Sequence, residues 1–340
     1  MKSFYRIAID TMSGDNGLEA VVPAAVNFLK EYDDTKLTLV GDESRLKEEL
    51  SRLNYSLNER LNIQHATQVV TMDEAPALAL RGKKDSSMRV AINLVKSGEA
   101  DAAVSAGNTG ALMATGRFVL RMLPGIDRPA ICTALPAATG HTYMLDLGAN
   151  IDSSAAHLFQ FAVMGSELVR AIDGIDNPRV GLLNIGAEDI KGNEQVKAAH
   201  EKLQKGDFNY IGFVEGDDIF HGDVDVIVCD GFVGNVALKT SEGLARMLSQ
   251  ELKAGYLKSI FTKIAALISY PVLKSFRHRF DHRRYNGASF LGLKGIVIKS
   301  HGGADSVAFG NAIGIARKAV MEKVPERIDK HLQNKLDSSK

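Results

Sequence analysis

The 340-residue chain has only two cysteines, Cys132 and Cys229, and each lies inside an apolar stretch. Two cysteines so far apart do not form a zinc-binding motif, and in such stretches a buried thiol is more common than a disulfide. We therefore expect two free thiols in the core, a reducing compartment and no metal site.

The chain also lacks a charge excess and a long hydrophobic run. Its 41 Lys+Arg residues balance its 41 Asp+Glu residues, which argues against nucleic acid as a partner, because that interaction requires a basic surface. No run approaches the roughly 18 apolar residues that span a bilayer. The N-terminal segment MKSFYRIAID enters a predicted strand at once, so we expect no signal peptide and a cytoplasmic location.

Common cofactor and nucleophile motifs are missing as well. The sequence contains no G-x-G-x-x-G dinucleotide motif, no Walker A motif and no G-x-S-x-G nucleophile elbow. Nicotinamide and ATP chemistry are therefore not supported by motif. If the protein performs acyl transfer, we expect the substrate itself to be the nucleophile, with the protein supplying positioning and oxyanion stabilisation.

What the chain does have is a repeated strand–loop–helix pattern. Runs rich in Val, Ile, Ala and Leu end in Gly, Asn or Asp, and helical spacing follows. The predicted strands are Tyr5–Asp10, Leu37–Val40, Ala102–Ala106, Tyr143–Leu147, Val180–Ile185, Val224–Cys229 and Ile296–Lys299. Such apolar strands are buried on both faces and are joined by helical crossovers. We predict a doubly wound α/β fold, with a mostly parallel sheet and helices on both faces, in one domain over residues 1–335.

The glycine-rich loops follow the carboxyl ends of these strands, where open α/β sheets bind ligands. A glycine loop that opens a helix directs backbone N–H groups and the helix dipole at an anion. One such loop is usually an ordinary turn, but several at one edge of the sheet favour an anion site. The polar and glycine candidates in or just after these loops are Asp10, Gly107, Asn108, Thr109, Asp146, Asn150, Asn184, Lys191, Glu194, Asp230, Asn235, Lys239 and His301.

Several of these candidates have an ordinary structural alternative. Asp10 is equally suited to capping a turn, and Lys239 to being a solvated helix residue. His301 follows Lys299 at a strand end, where it can act as a general acid/base or phosphate contact, or can be a packed loop histidine.

Residues 244–285 break the strand–loop–helix pattern. Their apolar residues show helical spacing only. The stretch from Lys253 to Arg284 contains eight Lys or Arg residues and a single acidic residue, Asp281. The apolar stripe of this segment includes Leu257, Phe261, Ile264, Leu267 and Ile268. The spacing predicts an inserted helical hairpin. Its possible roles are contact with an anionic membrane, docking of an acidic protein, or a dimer interface.

Long blocks of the sequence resemble the bacterial phosphate acyltransferases of phospholipid synthesis, the acyl-[acyl-carrier-protein]:phosphate acyltransferase family. The blocks are IAIDTMSGD (7–15), KKDSSMRVA (83–91), VSAGNTGALMA (104–114), LDLGAN (145–150), GLLNIGAEDIKGNE (181–194), VIVCDGFVGNVALKTSEG (226–243) and YNGASFLGLKGIVIKSHGG (285–303). They occur in the family's order through most of the chain. Members usually have a second glycine where Ser13 stands, so the first loop departs from the family pattern.

The resemblance implies reversible transfer of a long fatty acyl group from acyl-carrier protein to inorganic phosphate. The acyl-phosphate would pass to a membrane glycerol-3-phosphate acyltransferase. It also implies a fold like that of phosphotransacetylase and isocitrate dehydrogenase, a homodimer, and neither a metal nor an organic cofactor. The hairpin would then hold the protein peripherally on the inner face of the membrane.

Roles for the candidates follow from this resemblance. Asn108, Thr109, Asn150 and Asn235 would hold phosphate, Lys191 or Lys239 would neutralise charge, and His301 and Asn184 would stabilise the oxyanion. Two alternatives remain at this point: a phosphotransacetylase acting on acyl-CoA, and a non-catalytic sensor of phosphate or an acyl ligand.

Overall fold

Within the described residues, 4–279 and 281–338 of a computed structural model, the chain is organised around one 11-stranded sheet. The strands are β1 Tyr5–Asp10, β2 Thr35–Gly41, β3 Leu61–His65, β4 Ala102–Ser105, β5 Ala130–Pro136, β6 His141–Leu145, β7 Val180–Leu183, β8 Tyr210–Val214, β9 Val226–Val228, β10 Ala288–Leu291 and β11 Ile296–Lys299. Their order across the sheet is β3-β2-β1-β4-β11-β10-β5-β6-β9-β7-β8.

Helices connect most of these strands. They are α1 Gly17–Glu31, α2 Glu43–Arg52, α3 Pro76–Gly82, α4 Ser87–Ser97, α5 Thr109–Leu120, α6 Ala155–Asp173, α7 Glu194–Gln204, α8 Gly231–Leu257, α9 Ile260–Ile268, α10 Tyr270–Arg279, α11 Ser306–Met321 and α12 Val324–Ser338. Short 3₁₀ turns occupy Asp218–Phe220 and His282–Tyr285.

Both faces of the sheet are covered by helices. On one face α4 and α5 bury Ile92 and Leu112, and on the other α1 and α11 bury Leu29 and Phe309. A third cluster around Phe161 packs α6 and α12 against the other half of the sheet. Burial on both faces confirms the predicted doubly wound α/β fold.

The two cysteines are core residues, as the sequence predicts. Cys132 and Cys229 are free thiols with 1% and 3% exposure. Burial raises the pKa of both thiols, which leaves them protonated and unreactive.

The sheet consists of two parallel groups that run in opposite directions. β3, β2, β1, β4 and β11 form one group, and β6, β9, β7 and β8 form the other. Between them β10 is antiparallel to β11 and to β5, and β5 is antiparallel to β6. The carboxyl ends of β1, β4 and β11 therefore lie at one edge, and those of β6, β9 and β7 at the opposite edge. The predicted grouping of several glycine loops at one edge therefore holds for the loops after β1, β4 and β11, while the loops after β6, β7 and β9 form a separate group at the other edge.

The insertion predicted over 244–285 is helical, but its first helix begins earlier than expected. α8 runs without a break from Gly231 to Leu257, and most of its side chains beyond Leu238 are exposed. α9 and α10 follow, and we call residues 239–279 the helical arm. Phe280 lies outside the described residues. None of the described helices combines the length and apolar composition needed to cross a bilayer.

Candidate functional site

Three loops that follow β1, β4 and β11 lie against one another. We call residues 10–17, 105–109 and 299–305 the anion loops. The amide of Asp15 donates to the carbonyl oxygen of Gly302 at 2.9 Å, and the amide of Ser300 donates to the carbonyl oxygen of Ser105 at 2.9 Å. A Cβ atom placed on Gly14 would lie 2.8 Å from Ala106 Cβ, so this approach requires glycine. The structure thus brings Asp10, Gly107, Asn108, Thr109 and His301 to one edge.

Asp10 holds the base of these loops in place. It is fully buried, and its carboxylate accepts hydrogen bonds from Ser105 Oγ at 2.6 Å and from the Met12 amide at 3.3 Å. Ser105 Oγ in turn accepts from the Gly107 amide at 3.1 Å. These contacts give Asp10 a positioning role beneath the loops.

Asn108 is the N-cap of α5, and both ends of its side-chain amide have protein partners. Its Oδ1 accepts from the Ala111 amide at 3.0 Å, while its Nδ2 donates to the carbonyl oxygens of Met72 at 2.7 Å and Glu74 at 3.1 Å. The side chain therefore fixes the start of α5 and the segment before α3.

Beside Gly107 lies a buried hydroxyl group, that of Ser13. Ser13 is 2% exposed, and its Oγ has no hydrogen-bond partner among the described residues. A Cβ atom placed on Gly107 would lie 2.9 Å from Ser13 Cβ and 3.0 Å from Ser13 Oγ. Thr109, the first residue of α5, is half-buried in the same region. A buried unpaired hydroxyl beside a helix N-terminus is suited to donating a hydrogen bond to an anion.

His301 is held by Asn286, which sequence reasoning did not single out. The His301 amide donates to Asn286 Oδ1 at 2.8 Å, and Asn286 Nδ2 donates to Ser300 Oγ and to the Ala308 carbonyl oxygen, both at 2.8 Å. His301 Nδ1 accepts from the Gly303 amide at 3.1 Å. In the neutral ring this contact assigns the proton to Nε2, which makes Nε2 a donor.

Two lysines bring positive charge to the anion loops. Lys299, at the end of β11, is partly buried and donates from Nζ to the Ala106 carbonyl oxygen at 3.3 Å. Burial, and then repulsion from Lys239, lower the pKa of Lys299 to about 8, although Asp10 and Asp15 act in the opposite direction. Lys239 on α8 is thus within electrostatic range of Lys299, and its Nζ pairs with Glu242 at 2.8 Å.

The loops after β6 and β9 form a second group at the opposite edge. The fully buried Asp146 accepts from the amides of Ile131 at 2.9 Å, Ala149 at 3.0 Å and Asn150 at 2.7 Å. The side-chain Nδ2 of Asn150 also donates to Asp146 at 2.8 Å and to the Pro129 carbonyl oxygen at 2.8 Å. Burial raises the pKa of Asp146, and these hydrogen bonds oppose that shift.

The same group contains Asp230 and Asn235. Asp230 is the N-cap of α8 and accepts from the amides of Phe232 at 2.9 Å and Val233 at 3.0 Å. Asn235 is exposed and packs beside Gly148. Asp146, Asn150 and Asp230, which were candidates for binding phosphate or the acyl carrier, thus use these side-chain atoms to hold their own loops together.

The loop after β7 holds the remaining candidates. Asn184 donates to the Gly186 carbonyl oxygen at 3.1 Å, while Lys191 and Glu194 are exposed. β7 belongs to the parallel group that ends at the edge opposite the anion loops, so these residues are not neighbours of His301 in the sheet.

No group of three or more His, Cys, Asp or Glu side chains is arranged to hold a metal ion in the part of the chain that the structure describes.

The fold is that of the phosphotransacetylases. A phosphotransacetylase from Streptococcus pyogenes superposes with a TM-score of 0.64 at 18% identity, covering 94% of each chain. The EutD phosphotransacetylase from Staphylococcus aureus gives a TM-score of 0.60 at 16% identity, covering 94% of this chain and 96% of that one.

Sequence similarity defines the family more narrowly. The family model described as "Fatty acid synthesis protein" matches residues 5–327. The phosphate acyltransferase of Methylococcus capsulatus is 60% identical over 326 residues, covering 96% of both chains. That of Legionella pneumophila is 58% identical over 317 residues, covering 93% of this chain and 92% of its own. The chain belongs to the phosphate acyltransferase family and is an acyltransferase, which confirms the resemblance found in the sequence.

Proposed function

We propose that this protein transfers a long-chain fatty acyl group reversibly from acyl-carrier protein to inorganic phosphate, releasing acyl-phosphate for phospholipid synthesis. The observation that carries the proposal is the convergence of the three anion loops at the N-terminus of α5, where backbone amides and Lys299 can bind an anion. In this chain the buried Ser13 hydroxyl adds a hydrogen bond that the described residues do not take up. The family relationship identifies the anion most consistent with this arrangement as phosphate.

The reaction needs no protein nucleophile. A phosphate oxygen attacks the thioester carbonyl carbon, a C–O bond forms, and the C–S bond breaks as the carrier thiolate leaves. The proton that phosphate gives up goes to the departing sulfur, so atoms and charge balance. Because both cysteines are buried and protonated, they are poor candidates for a covalent intermediate.

The anion loops are suited to holding the attacking phosphate. Ser13 and the first amides of α5 would donate to its oxygens, and Lys239 and Lys299 would balance its charge. His301, with Nε2 as donor, would stabilise the oxyanion of the tetrahedral intermediate. We propose that Asp10, Asn108, Asp146, Asn150 and Asp230 position loops, and that Asn184, Lys191, Glu194 and Asn235 contact the acyl carrier or its thioester arm at the opposite edge.

We further propose that the helical arm contacts a membrane surface. The side chains of the predicted stripe are strongly exposed: Leu257 56%, Phe261 80%, Ile264 49%, Leu267 76% and Ile268 76%. Lysines and arginines of the arm would be attracted to anionic lipid. Peripheral contact of this kind, with the protein on the cytoplasmic side, would release acyl-phosphate close to a membrane glycerol-3-phosphate acyltransferase.

The exposed apolar part of α8 supports a homodimer. Leu244, Met247, Leu248 and Leu252 are between 44% and 56% exposed. Exposed apolar surfaces of this kind commonly mark protein–protein contacts, and a second copy of the chain is the partner that we propose.

One assay separates the proposed activity from its alternatives. The protein is incubated with phosphate and, separately, long-chain acyl-carrier protein, long-chain acyl-CoA and acetyl-CoA, and acyl-phosphate is quantified. We expect product chiefly from acyl-carrier protein. Efficient product from acetyl-CoA would instead identify a phosphotransacetylase, and phosphate binding without any product would identify a sensor.

A further inference from the structure

Lys299 lies where the ends of three strands meet. In the sheet it pairs in register with Ser105 of β4, and Ser105 is hydrogen-bonded to Asp10 of β1. Its Nζ donates to the carbonyl oxygen of Ala106, in the loop after β4, and to that of Ser300, in the loop after β11. One ammonium group therefore joins two of the anion loops.

Within residues 4–279 and 281–338, no carboxylate forms an ion pair with this ammonium group. Asp10 on β1 and Asp15 in the first loop attract it, and Lys239 on α8 repels it. Asp10 already accepts hydrogen bonds from Ser105 and Met12, and Lys239 already pairs with Glu242. A phosphate anion attracted to both lysines would offset the repulsion between them.

We infer that Lys299 is a positioning residue of the phosphate site, holding the loops after β4 and β11 together and coupling phosphate binding to its own protonation. The inference rests on the proposed function, because it takes phosphate to be the anion. The sequence places Lys299 at a strand end beside His301, and the structure adds its hydrogen bonds to two of the loops.

The direction of the coupling follows from the charges. Phosphate favours the charged form of Lys299, so binding raises the pKa of Lys299 above its value of about 8 in the free protein. Near pH 8, binding should therefore be accompanied by proton uptake. As the pH rises further, the neutral amine predominates in the free protein and phosphate affinity should fall.

The test is calorimetric titration of the full-length protein with inorganic phosphate, near pH 8 and about one pH unit higher. Buffers with different ionisation enthalpies report the protons exchanged. Lys299→Met removes the charge and keeps the side-chain length, whereas Lys299→Arg keeps a charge that cannot be lost. Lys294→Met, at an exposed lysine between β10 and β11, is the matched control.

We expect wild type and Lys294→Met to take up a larger fraction of a proton than Lys299→Met, and Lys299→Met to bind phosphate about tenfold more weakly or worse. Lys299→Arg should lose less affinity than the wild type on going to the higher pH. A merely structural lysine would not produce that difference. If Lys299→Met misfolds, the difference in the pH dependence of phosphate affinity between Lys299→Arg and the wild type still tests the inference.

Two results would overturn the inference and leave the proposed function intact. One is equal affinity and proton uptake in Lys299→Met and wild type, and the other is a parallel loss of affinity with pH in Lys299→Arg and wild type. Failure of the wild type to bind phosphate or to form acyl-phosphate would overturn the proposed function, and this inference with it.

Discussion

At the residue scale, the polar candidates divide by what their atoms already contact. Asp146 accepts four hydrogen bonds, three from its own loop and one from Ile131 in β5, and both ends of the Asn108 side-chain amide are hydrogen-bonded. Ser13 has a buried hydroxyl without such a partner among the described residues. Residue type and position after a strand could not separate these cases, because capping and ligand binding select the same polar side chains.

Asp146→Asn should lower stability more than it alters chemistry. The substitution places a side-chain NH₂ group opposite backbone amides that are themselves donors, in a site that is fully buried. Because a buried donor then lacks an acceptor, we expect the free energy of unfolding to fall by about 3 kcal/mol. Asp230→Asn is the matched control, because Asn is as good an N-cap as Asp and should cost less than about 0.5 kcal/mol. Urea unfolding of both variants measures the difference. A fully stable Asp146→Asn variant that fails to bind phosphate would restore Asp146 as a ligand.

Gly107→Ala should disturb the anion loops through a steric contact. The added methyl group would lie 2.6 Å from Met88 Cε and 2.9 Å from Ser13 Cβ, at a cost of about 1–3 kcal/mol. Gly82→Ala meets nothing within 4 Å and should be close to neutral. Adding Ser13→Gly to Gly107→Ala removes one of the two contacts and should restore part of the lost stability, measured by thermal unfolding. Additive losses in the double variant would contradict this packing.

At the scale of elements, the long apolar strands followed by helices could be predicted, and the short connecting strands could not. β3 and β8 are edge strands, and β5 and β10 lie where the direction of the sheet reverses. β10 is four residues long, and its pairing is set by neighbours distant in sequence. Because β5 and β10 were not predicted, the sequence did not show the reversal or the division of the glycine loops between two edges.

The helical arm can be tested separately from the body of the protein. Changing Phe261, Leu267 and Ile268 together to Ser removes side chains that are at least 76% exposed, so the fold should be retained. If they insert into lipid, their loss should reduce binding to anionic vesicles by at least about a hundredfold, from the apolar area involved. Vesicle flotation measures this, with Leu78→Ser, 65% exposed on α3, as control. Unchanged flotation would reject membrane contact by this face.

At the scale of the whole molecule, α8 extends from the second group of loops into the arm. Its N-cap Asp230 lies in the second group, and Lys239 in its interior is within electrostatic range of Lys299 in the first group. A carrier protein bound at one edge and phosphate bound at the other would both contact this helix. The separation of these two sites depends on the opposite directions of the two strand groups. Residue patterns alone indicated an anion site, but they could not show that the candidate residues are divided between two edges.

The central claim is that phosphate is the attacking nucleophile at the anion loops. Fully ¹⁸O-labelled phosphate and long-chain acyl-carrier protein should give acyl-phosphate that retains every labelled oxygen, because the bond formed joins the carbonyl carbon to a phosphate oxygen. The ¹⁸O isotope shift in the ³¹P NMR spectrum of the product measures how many labelled oxygens remain bound to phosphorus. Acyl-phosphate that has lost one labelled oxygen, or free fatty acid as the only product, would contradict the account.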